Sequence, residues 1–510
     1  MKSDSSLSIS KPAAVWKRRP IKLNFRELFK AGGKRLIHGI SGKWEDVADQ
    51  REQWWKSYGE VSGRGYGAMP QELQRDNLVE IAAQPLLNYL LALSYQRKTL
   101  VFSETTNLNE VYADLLNAVH ARGWDSKRQH KAIADISNAE FLRILEEVAM
   151  AAWHGNGRTT TIQDIQTHFD NNKSLKSLLT RFETGAEAGV TRLLTAFYFR
   201  QGGVQNGEKT FEFTHKSFGE YLTAKAIVRG VERIQKQLES HAEDCESGWD
   251  EREALKFWAE LCGKTAIDDY LYGFIRDEIQ LRDESTAQKW QQTFCKLIEI
   301  MLGHGMPMER LTPRLSYQAE SRQARNAEEA LLVVLSSCAM KTKQLSTIHW
   351  GSQHAFGCWI DRLRGQKDDR FIPLAFSCLI RLDLESCDLD GKNLCRANLD
   401  GANLYLTDLS GANLYGANLC GANLCGANLS EANLEEANLY GASLDGATLD
   451  GATLDWATLD WATLYEATLY DIYWNDRTSW KNVRDLENAI DVPEALKQLL
   501  SQNTPEEDRI

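Results

Sequence analysis

The sequence predicts a multidomain chain, in which an α-helical N-terminal part with a winged-helix module precedes a C-terminal β-helix. The β-helix prediction rests on a leucine at every fifth residue from Leu384 to Leu469, with a small residue, nearly always alanine, two positions earlier. The helical prediction rests on apolar residues spaced for one helix face, and the winged-helix prediction on two short strand patterns between helices. A chain of 510 residues is long enough for about two to four domains.

The five-residue period fits neither an α-helix, whose period is about 3.6, nor a strand, whose period is about 2. A helix would spread the leucines around its circumference, and a strand would place successive leucines on opposite faces. The period therefore predicts a chain that turns a corner every five residues and keeps leucine and alanine inside. Four such sides close a coil of about twenty residues, and successive coils stack about 4.8 Å apart.

The segment from Leu382 to Tyr470 resembles the pentapeptide-repeat family, because Ala-Asn-Leu recurs along it, as in Ala397-Asn398-Leu399. The resemblance implies a right-handed quadrilateral β-helix. Four residues depart from alanine at the small inward position, and three of them lie in the first three repeats, so we expect an irregular or capping first coil. The four residues are Leu382, Cys387, Lys392 and Thr407.

Composition shifts and helix patterns divide the chain into parts. Residues 1–35 carry ten Lys or Arg against Asp4 and Glu27, and we expect this basic tail, with its helix from Ile21 to Gly32-Gly33, to be solvated. The six predicted parts are the basic tail and short amphipathic helix (1–50), a helical subdomain (51–130), a winged-helix-like module (131–226), a helical domain (227–375), the β-helix (376–474), and a C-terminal cap and tail (475–510).

The winged-helix prediction depends on the order of elements between residues 131 and 226. A helix is predicted from Phe141 to Trp153, and a brief strand at Thr159–Ile162. A polar, glycine-rich loop is predicted at 201–207, and the alternation in Phe211-Glu212-Phe213 predicts a second strand before another helix. Further upstream, a core helix is predicted to begin near Pro85.

A second resemblance links Gln84-Pro85-Leu86-Leu87 and the stretch from Phe211 to Leu222 to the C-terminal half of NACHT-type signal-transduction NTPases. In that family the proline belongs to a helical subdomain beside the adenine, and the histidine belongs to a winged helix that senses the phosphates. The resemblance therefore implies Pro85 and His215 as vestigial cofactor-binding residues. The alternatives are a proline at the start of a helix and a structural histidine, and the lack of a phosphate site favours these alternatives.

The phosphate-binding motif of such NTPases, G-x-x-x-x-G-K-[ST], is absent. Gly263-Lys264-Thr265 has its ending, but Trp258 stands where the first glycine should be, and the preceding run is helical rather than a strand. The residues before Trp54 are too few for an α/β NTPase core. No catalytic motif, metal-ligand spacing or cofactor is predicted, and His304, His349 and His354 are expected to be structural.

Outward positions of the repeat are candidates for partner contact. Trp456 and Trp461 both lie two residues after a leucine, so they should point outward on neighbouring sides. The competing interpretation, which the pattern favours, is that the tail from Asn475 folds back and covers both. Cys420 and Cys425 occupy equivalent positions on adjacent sides, and no metal or redox role is expected for them.

The repeat segment is acidic, with fifteen Asp or Glu from Asp383 to Asp471 against only Lys392 and Arg396. Some pentapeptide-repeat proteins mimic DNA and bind topoisomerases, which requires acidic residues aligned along the rod. The run at 445, 450, 455 and 460 should instead circle one coil, because only residues twenty apart stack on one side. A solvated acidic surface is therefore the favoured interpretation.

Together these features predict a cytoplasmic protein that is not an enzyme. The net charge is −12, no apolar run is long enough to span a bilayer, no apolar signal core is present, and the ten cysteines form no CxxC pair. We expect a protein–protein interaction scaffold, a remnant of a NACHT-type regulator, with a protein partner rather than nucleic acid. The alternatives are a nucleotide-sensing subunit that completes an NTPase site in trans and an acidic DNA mimic that binds a topoisomerase.

Overall fold

The computed structural model describes residues 33–36, 44–47, 50–75, 78, 81–82, 85–103, 106–121, 137–155, 159–170, 199–205, 208–213, 216–365 and 373–503. The chain divides into two compact units, residues 1–223 and 224–510. The predicted basic tail and the predicted helix before Gly33 lie outside the described residues. Within the described ranges, no helix combines the length and the apolar character that a membrane span requires.

The first unit is largely helical, as predicted. Its fourth helix begins with a capping box, in which Ser137 Oγ accepts the Glu140 N–H at 3.2 Å and the Glu140 carboxylate accepts the Ser137 N–H at 2.9 Å. The second helix begins at Pro85, as the sequence predicts. The helices are α1 (Gln50–Ser62), α2 (Pro85–Arg97), α3 (Leu108–Ala121), α4 (Asn138–His154), α5 (Ile162–Asp170) and α6 (Lys216–Glu243), which continues into the second unit.

Two small antiparallel sheets accompany these helices. The first pairs β1 (Gly33–Leu36) with β2 (Trp44–Val47), which the sequence did not indicate. The second has the order β3-β5-β4, formed by β3 (Thr160–Thr161), β4 (Phe199–Gln205) and β5 (Glu208–Phe213).

The predicted loop at 201–207 is wrong over its first five residues, which belong to β4. The strand pairs with β5 from Phe199–Phe213 to Gln205–Glu208, and the register shifts between Gln201 and Gly203. Glycines lower strand propensity in the sequence, but here they accommodate an irregularity within the strand.

Aromatic side chains form the core of the first unit. Trp55 is fully buried, and its Nε1–H donates to Asn88 Oδ1 at 3.1 Å, which ties α1 to α2. The Tyr112 ring lies 5.0 Å from Phe218 and 5.4 Å from Tyr221, centre to centre, which ties α3 to the start of α6.

Three consecutive helices of the second unit begin at aspartate caps. Asp250, Asp268 and Asp283 each accept a backbone N–H from the third residue that follows. The apolar segment Leu331–Leu335 is buried and lies on α10. The helices are α7 (Glu251–Cys262), α8 (Asp269–Gln280), α9 (Glu284–His304), α10 (Tyr317–Thr342), α11 (Ala355–Arg364), α12 (Leu374–Ser377) and α13 (Glu494–Asn503).

Two buried carboxylates of α10 hold the short helices that precede the β-helix. Glu328 accepts from Trp359 Nε1 at 2.9 Å and from Arg362 at 2.7 Å, both on α11. Glu329 accepts the N–H of Ala375, on α12, at 3.0 Å. Burial of a carboxylate is tolerated only with such partners, so these bonds fix α11 and α12 against α10.

The predicted β-helix is confirmed. From the Asp383–Asn403 pair to the Thr453–Tyr473 pair, parallel bridges join residues twenty apart, so four five-residue repeats complete one coil. The eighteen leucines of the period, Leu384–Leu469, are fully buried and form the stacked core.

The first coil is attached to the helices, in line with its predicted capping role. Ser346 pairs with Leu382 as an additional strand residue before the first coil. Lys392 stands at an inward position that alanine occupies elsewhere, and its ammonium reaches Asp361 of α11 at 2.6 Å. The β-helix is therefore joined to the segment between α10 and α11 by backbone bonds and to α11 by side-chain bonds.

Candidate protein-interaction surface

Each corner of the β-helix is a β-turn that begins at a buried leucine. The N–H of the residue three positions later donates to the leucine carbonyl, as from Ala462 to Leu459 at 3.0 Å. The residue two positions after the leucine has a positive φ, as at Gly441 with 63°. This is the geometry of a type II turn, in which glycine is the residue that fits at no steric cost.

Trp456 and Trp461 occupy this left-handed position on adjacent sides of one coil, with φ angles of 63° and 64°. The left-handed conformation costs roughly 1–2 kcal/mol for a residue with a side chain. Both side chains are 48% exposed, so their predicted outward orientation is confirmed. Two bulky residues thus keep an unfavourable backbone conformation while half of each side chain remains in contact with solvent.

The chain after Tyr470 leaves both tryptophans 48% exposed, so the favoured prediction of a tail that folds back and covers them is wrong. The tail continues the parallel ladder instead, and the last pairs are Thr458–Ser479, Thr463–Arg484 and Thr468–Ile490. Inserted residues make these spacings longer than twenty, which removes the leucine period while the ladder persists. Val492 and Leu496 follow and are buried. Helix α13 therefore covers the C-terminal end of the β-helix.

One residue of the tail does reach a predicted site residue. The guanidinium carbon of Arg477 lies 4.1 Å from the centre of the Trp456 ring, which is the geometry of a cation–π contact. The Trp456 face is therefore already used by a cation of the same chain.

The two tryptophans belong to a larger set of exposed aromatic residues, which we call the aromatic girdle. Each of the four sides of one coil contributes one member, and the exposed fractions lie between 47% and 62%. Sequence reasoning missed the two tyrosines, because tyrosine also occurs at outward positions of earlier coils. The girdle consists of Trp456, Trp461, Tyr465 and Tyr470.

The acidic ring overlaps the girdle along the chain and consists of Asp445, Asp450, Asp455 and Asp460, again one on each side. Asp455 and Asp460 directly precede the two tryptophans, and Asp445 and Asp450 lie one coil before the two tyrosines. Three of these carboxylates accept backbone N–H groups of the following coil. The donors are Tyr465 to Asp445 at 3.1 Å, Tyr470 to Asp450 at 3.3 Å, and Lys481 to Asp460 at 3.0 Å.

A change in the repeat explains this role of the acidic ring. In earlier coils an asparagine before the leucine accepts the N–H two residues on, as Asn438 does from Tyr440 at 3.2 Å. From Ser443 onward serine or threonine takes that position. The aspartates supply an acceptor from the coil below, so their pattern has a structural cause.

The repeated pentads match a known family. A family model described as "Pentapeptide repeats" matches eight copies, over residues 377–414, 407–446 and 427–465. Residues 377–465 are pentapeptide repeats. No curated protein matches the chain.

Solved pentapeptide-repeat proteins are similar to about a fifth of this chain. One from the Arabidopsis thaliana thylakoid lumen is 28% identical over 22% of this chain and 74% of its own, with a TM-score of 0.16. Rfr23 from the cyanobacterium Cyanothece 51142 is 32% identical over 19% of this chain and 91% of its own, with a TM-score of 0.15. HetL from Nostoc, which is involved in heterocyst differentiation regulation, is 30% identical over 22% of this chain and 56% of its own, with a TM-score of 0.11.

The pentapeptide repeats carry a strongly one-signed charge. Between Arg396 and Arg477 the sequence has twelve Asp or Glu and neither Lys nor Arg. Carboxylates of one sign on a solvated surface attract cationic partners over distances of about 10 Å at moderate salt. Arg477, which ends this stretch, is the arginine that lies over Trp456.

The predicted nucleotide-related residues are not brought into a described site. Pro85 is the first residue of α2, and His215 lies outside the described residues. Gly263 ends α7, and its carbonyl accepts from Asn326 at 2.9 Å. The negative end of the helix dipole lies there, which disfavours a phosphate at Gly263-Lys264-Thr265.

The thiols and histidines likewise form no metal centre in the part of the chain that the structure describes. All ten cysteines lie in that part and none is in a disulfide. Cys425 Sγ lies 3.0 Å from Ser443 Oγ in the pentapeptide repeats. Burial raises the pKa of the Cys420 thiol, and nearby Asp400 adds to the shift, which keeps this thiol protonated.

His304 and His349, which were expected to be structural, both line one open cleft of about 610 Å³ beside α9 and α11. The cleft also includes Trp350 and Arg362. Arg362 is bound by Glu328, as described above, so its charge is largely balanced. The cleft has no cluster of groups that indicates a reaction.

Proposed function

We propose that this chain is a non-catalytic scaffold that binds a protein partner through the aromatic girdle of its pentapeptide repeats. The observation that carries the proposal is the pair of half-exposed tryptophans, Trp456 and Trp461, at corners where glycine is favoured. Other corners hold non-glycine residues with positive φ as well, such as Arg396, Leu406 and Glu436. The exposure of the two indoles therefore supports the proposal, and their backbone conformation does not. Exposed tryptophan is also the residue most enriched among energetic anchors of protein interfaces.

Affinity isolation with the full chain tests this proposal. The wild type, a Trp456→Gly/Trp461→Gly double variant and a Tyr405→Ala control are used as baits, with quantitative mass spectrometry of the bound proteins. A partner that is retained by the wild type and the control but lost from the double variant supports the proposal. If the double variant retains every protein that the wild type binds, the girdle is not the contact surface.

The absence of catalysis is a separate part of the proposal. It is supported by the position of Lys264 after the C-terminal end of α7, where phosphate is disfavoured. We expect no ATP turnover above buffer by the purified chain, and Lys264→Ala should be indistinguishable from the wild type. Turnover that survives this substitution would show an NTPase site elsewhere and overturn this part.

We also propose that the six predicted parts are domains of a NACHT-type regulator that lacks the NTPase core. The order of α4, the sheet β3-β5-β4 and α6 supports a winged-helix assignment, and the resemblance at Pro85 supports the helical subdomain. A right-handed quadrilateral cross-section for the repeats is supported by four turns in each twenty-residue coil. A cytoplasmic location is supported by ten cysteines without disulfides.

A second candidate function is nucleotide sensing in trans with a separate NTPase core, through Pro85 and His215. Its support is that α2 begins at Pro85, where the resemblance puts the helical subdomain. The function predicts that nucleotide binds only to a mixture of this chain with such a core, and that a His215→Ala variant loses the effect. Equal nucleotide binding by the variant mixture would remove this candidate.

Topoisomerase binding by DNA mimicry has weaker support. The acidic ring is occupied by backbone N–H groups and encircles one coil, whereas DNA mimicry needs carboxylates aligned along the rod. Addition of the purified chain to a topoisomerase supercoiling assay tests this function. We expect the topoisomerase activity to be unchanged. Inhibition at stoichiometric concentration would support binding by DNA mimicry.

A further inference from the structure

We propose that the exposed face of Trp461 is a binding site for an arginine side chain in a basic segment of the partner protein. The inference rests on the proposed scaffold function and specifies which chemistry the girdle recognises. It is carried by a comparison between two equivalent tryptophans, one of which already binds an arginine.

The two tryptophans are equivalent in sequence and geometry. Each follows Leu-Asp and precedes Ala-Thr-Leu, and the two φ angles differ by one degree, at 63° and 64°. Both side chains have the same exposed fraction. Any ligand that suits the face of Trp456 therefore suits the face of Trp461.

Corner side chains lie against the next coil, which shows where a ligand would meet the indole. Side-chain atoms of Arg381 lie 3.3 Å from a Cβ built on Gly401, and those of Arg396 lie 3.3 Å from one built on Gly416. A side chain at one corner is therefore covered by the residue at the same corner of the next coil. Arg477 belongs to the coil that follows Trp456 and stacks on it in this way.

The corresponding place above Trp461 holds a different residue. The Trp461 N–H donates to the Lys481 carbonyl at 2.9 Å, so the next corner residue is Asn482. Among the residues that the structure describes, no guanidinium or ammonium group lies over the Trp461 ring. The chain thus places its own arginine over one of two equally exposed tryptophans and, within the described residues, no cation over the other.

Charge determines which ligand the second face favours. The coils from residue 397 to 476 carry twelve acidic residues and neither Lys nor Arg, and the coil after Trp461 adds three cations, Arg477, Lys481 and Arg484. Asp460 directly precedes Trp461 in the same turn, and Glu466 stands at the next corner. A cation is therefore attracted to this surface, and a flat guanidinium stacks on an indole better than a compact, strongly hydrated ammonium does.

Fluorescence anisotropy with the full chain and a labelled arginine–glycine octapeptide tests the inference. Matched probes carry lysine or neutral citrulline in place of arginine. We expect arginine to bind more tightly than lysine, citrulline to bind weakest, and the affinity to fall with added salt. Trp461→Gly should weaken arginine-peptide binding about two- to five-fold, which is the contribution of an exposed cation–π contact.

Two further variants sharpen the test. Tyr405→Ala removes an outward aromatic residue from a distant coil and should leave the affinity unchanged. Arg477→Ala uncovers Trp456 and should raise the affinity about two-fold, because two equivalent faces become available. Glycine already stands at residue 441, in the same column as Trp461, so Trp461→Gly is compatible with the fold.

The inference is overturned if Trp461→Gly binds the arginine peptide like the wild type, or if citrulline binds as well as arginine. Failure of the scaffold proposal gives a different result. If partner isolation depends on the girdle but the peptides show no arginine preference, only this inference fails. If arginine is preferred but no isolated partner depends on the girdle, the site stands and the scaffold proposal fails.

Discussion

The guanidinium of Arg477 and the indole of Trp456 are held 4.1 Å apart in two successive coils. Arg477 follows the last regular repeat, where the spacing between bridged residues lengthens from twenty to twenty-one. The contact therefore joins the irregular final coil to the regular stack below it. Because this contact is exposed, its removal should report on the local stability of the final coil.

Replacement of Arg477 by alanine should loosen the last coil. An exposed cation–π contact contributes about 0.5–1 kcal/mol, so amide hydrogen exchange in peptides from residues 473–490 should be about two- to five-fold faster. Mass spectrometry of the exchanged protein measures this. Arg484→Ala is the matched control, an exposed arginine of the same coil, and equal acceleration in both variants would contradict the assignment.

The corner geometry predicts unequal losses of stability at Gly441 and Trp461, which occupy the same corner twenty residues apart. A Cβ on Gly441 would meet no atom within 4 Å, so Gly441→Val is penalised through its φ of 63° alone. We expect a loss of about 1–2 kcal/mol in the free energy of unfolding, measured by denaturant titration.

The reverse exchange, Trp461→Gly, should lower the free energy of unfolding by less than Gly441→Val does. It relieves the same backbone conformation, although it removes the buried half of the indole. A larger loss for Trp461→Gly would show that the indole, and not the corner, dominates at this position.

Substitutions in the acidic ring should lower stability through loss of a hydrogen-bond acceptor rather than through loss of charge. Asp445→Ala removes the acceptor of the Tyr465 N–H and should cost about 1 kcal/mol. Asp445→Asn keeps a carbonyl oxygen in place and should retain most of the stability. Thermal unfolding of both variants at low and high salt distinguishes the two causes, and equal destabilisation by Asn and Ala would favour a role for charge.

A pH effect is expected at Glu328. Burial raises the pKa of Glu328 above its ordinary value of 4.5, although Arg362 and the Trp359 N–H oppose the shift. A carboxyl group whose pKa is raised on folding binds its proton more tightly in the folded state. Its contribution therefore becomes less favourable as the pH rises from about 4.5 through the folded pKa.

Glu328→Gln removes this titration and keeps an acceptor for Trp359. The stability of the variant relative to the wild type should increase as the pH rises from 4 to 7, which denaturant titrations at each pH can measure. A difference that does not change with pH would show that Glu328 does not titrate in this range.

The regular part of the β-helix was predictable because its information is local and repeated. Each leucine and alanine has the same environment in every coil, so the period alone defines the inward face. The outward position of Trp456 and Trp461 followed from the same register. The tail was mispredicted because inserted residues after Tyr473 remove the leucine period, whereas the backbone bonds that continue the ladder do not depend on side chains.

The attachment of the helices was not predictable for a different reason. Glu328 and Glu329 look like solvated residues of a charged helix, and their partners at Trp359 and Ala375 are 31 and 46 residues away. Such pairings depend on how distant helices meet, which no local pattern encodes. The contact between Arg477 and Trp456 was not predictable for the same reason, because it depends on the number of residues in the coil that separates them.

Because twenty residues complete one coil, the number of repeats between two residues determines the direction in which each side chain points. Lys392 fixes the first coil to α11 through Asp361, and Trp461 stands at a set number of repeats beyond it. Deletion of one repeat would rotate the tryptophan by a quarter turn away from its present bearing. Deletion of four would preserve the bearing and draw the tryptophan about 4.8 Å nearer to α11. Lineages that gain or lose repeats upstream of the girdle are thus expected to do so in fours.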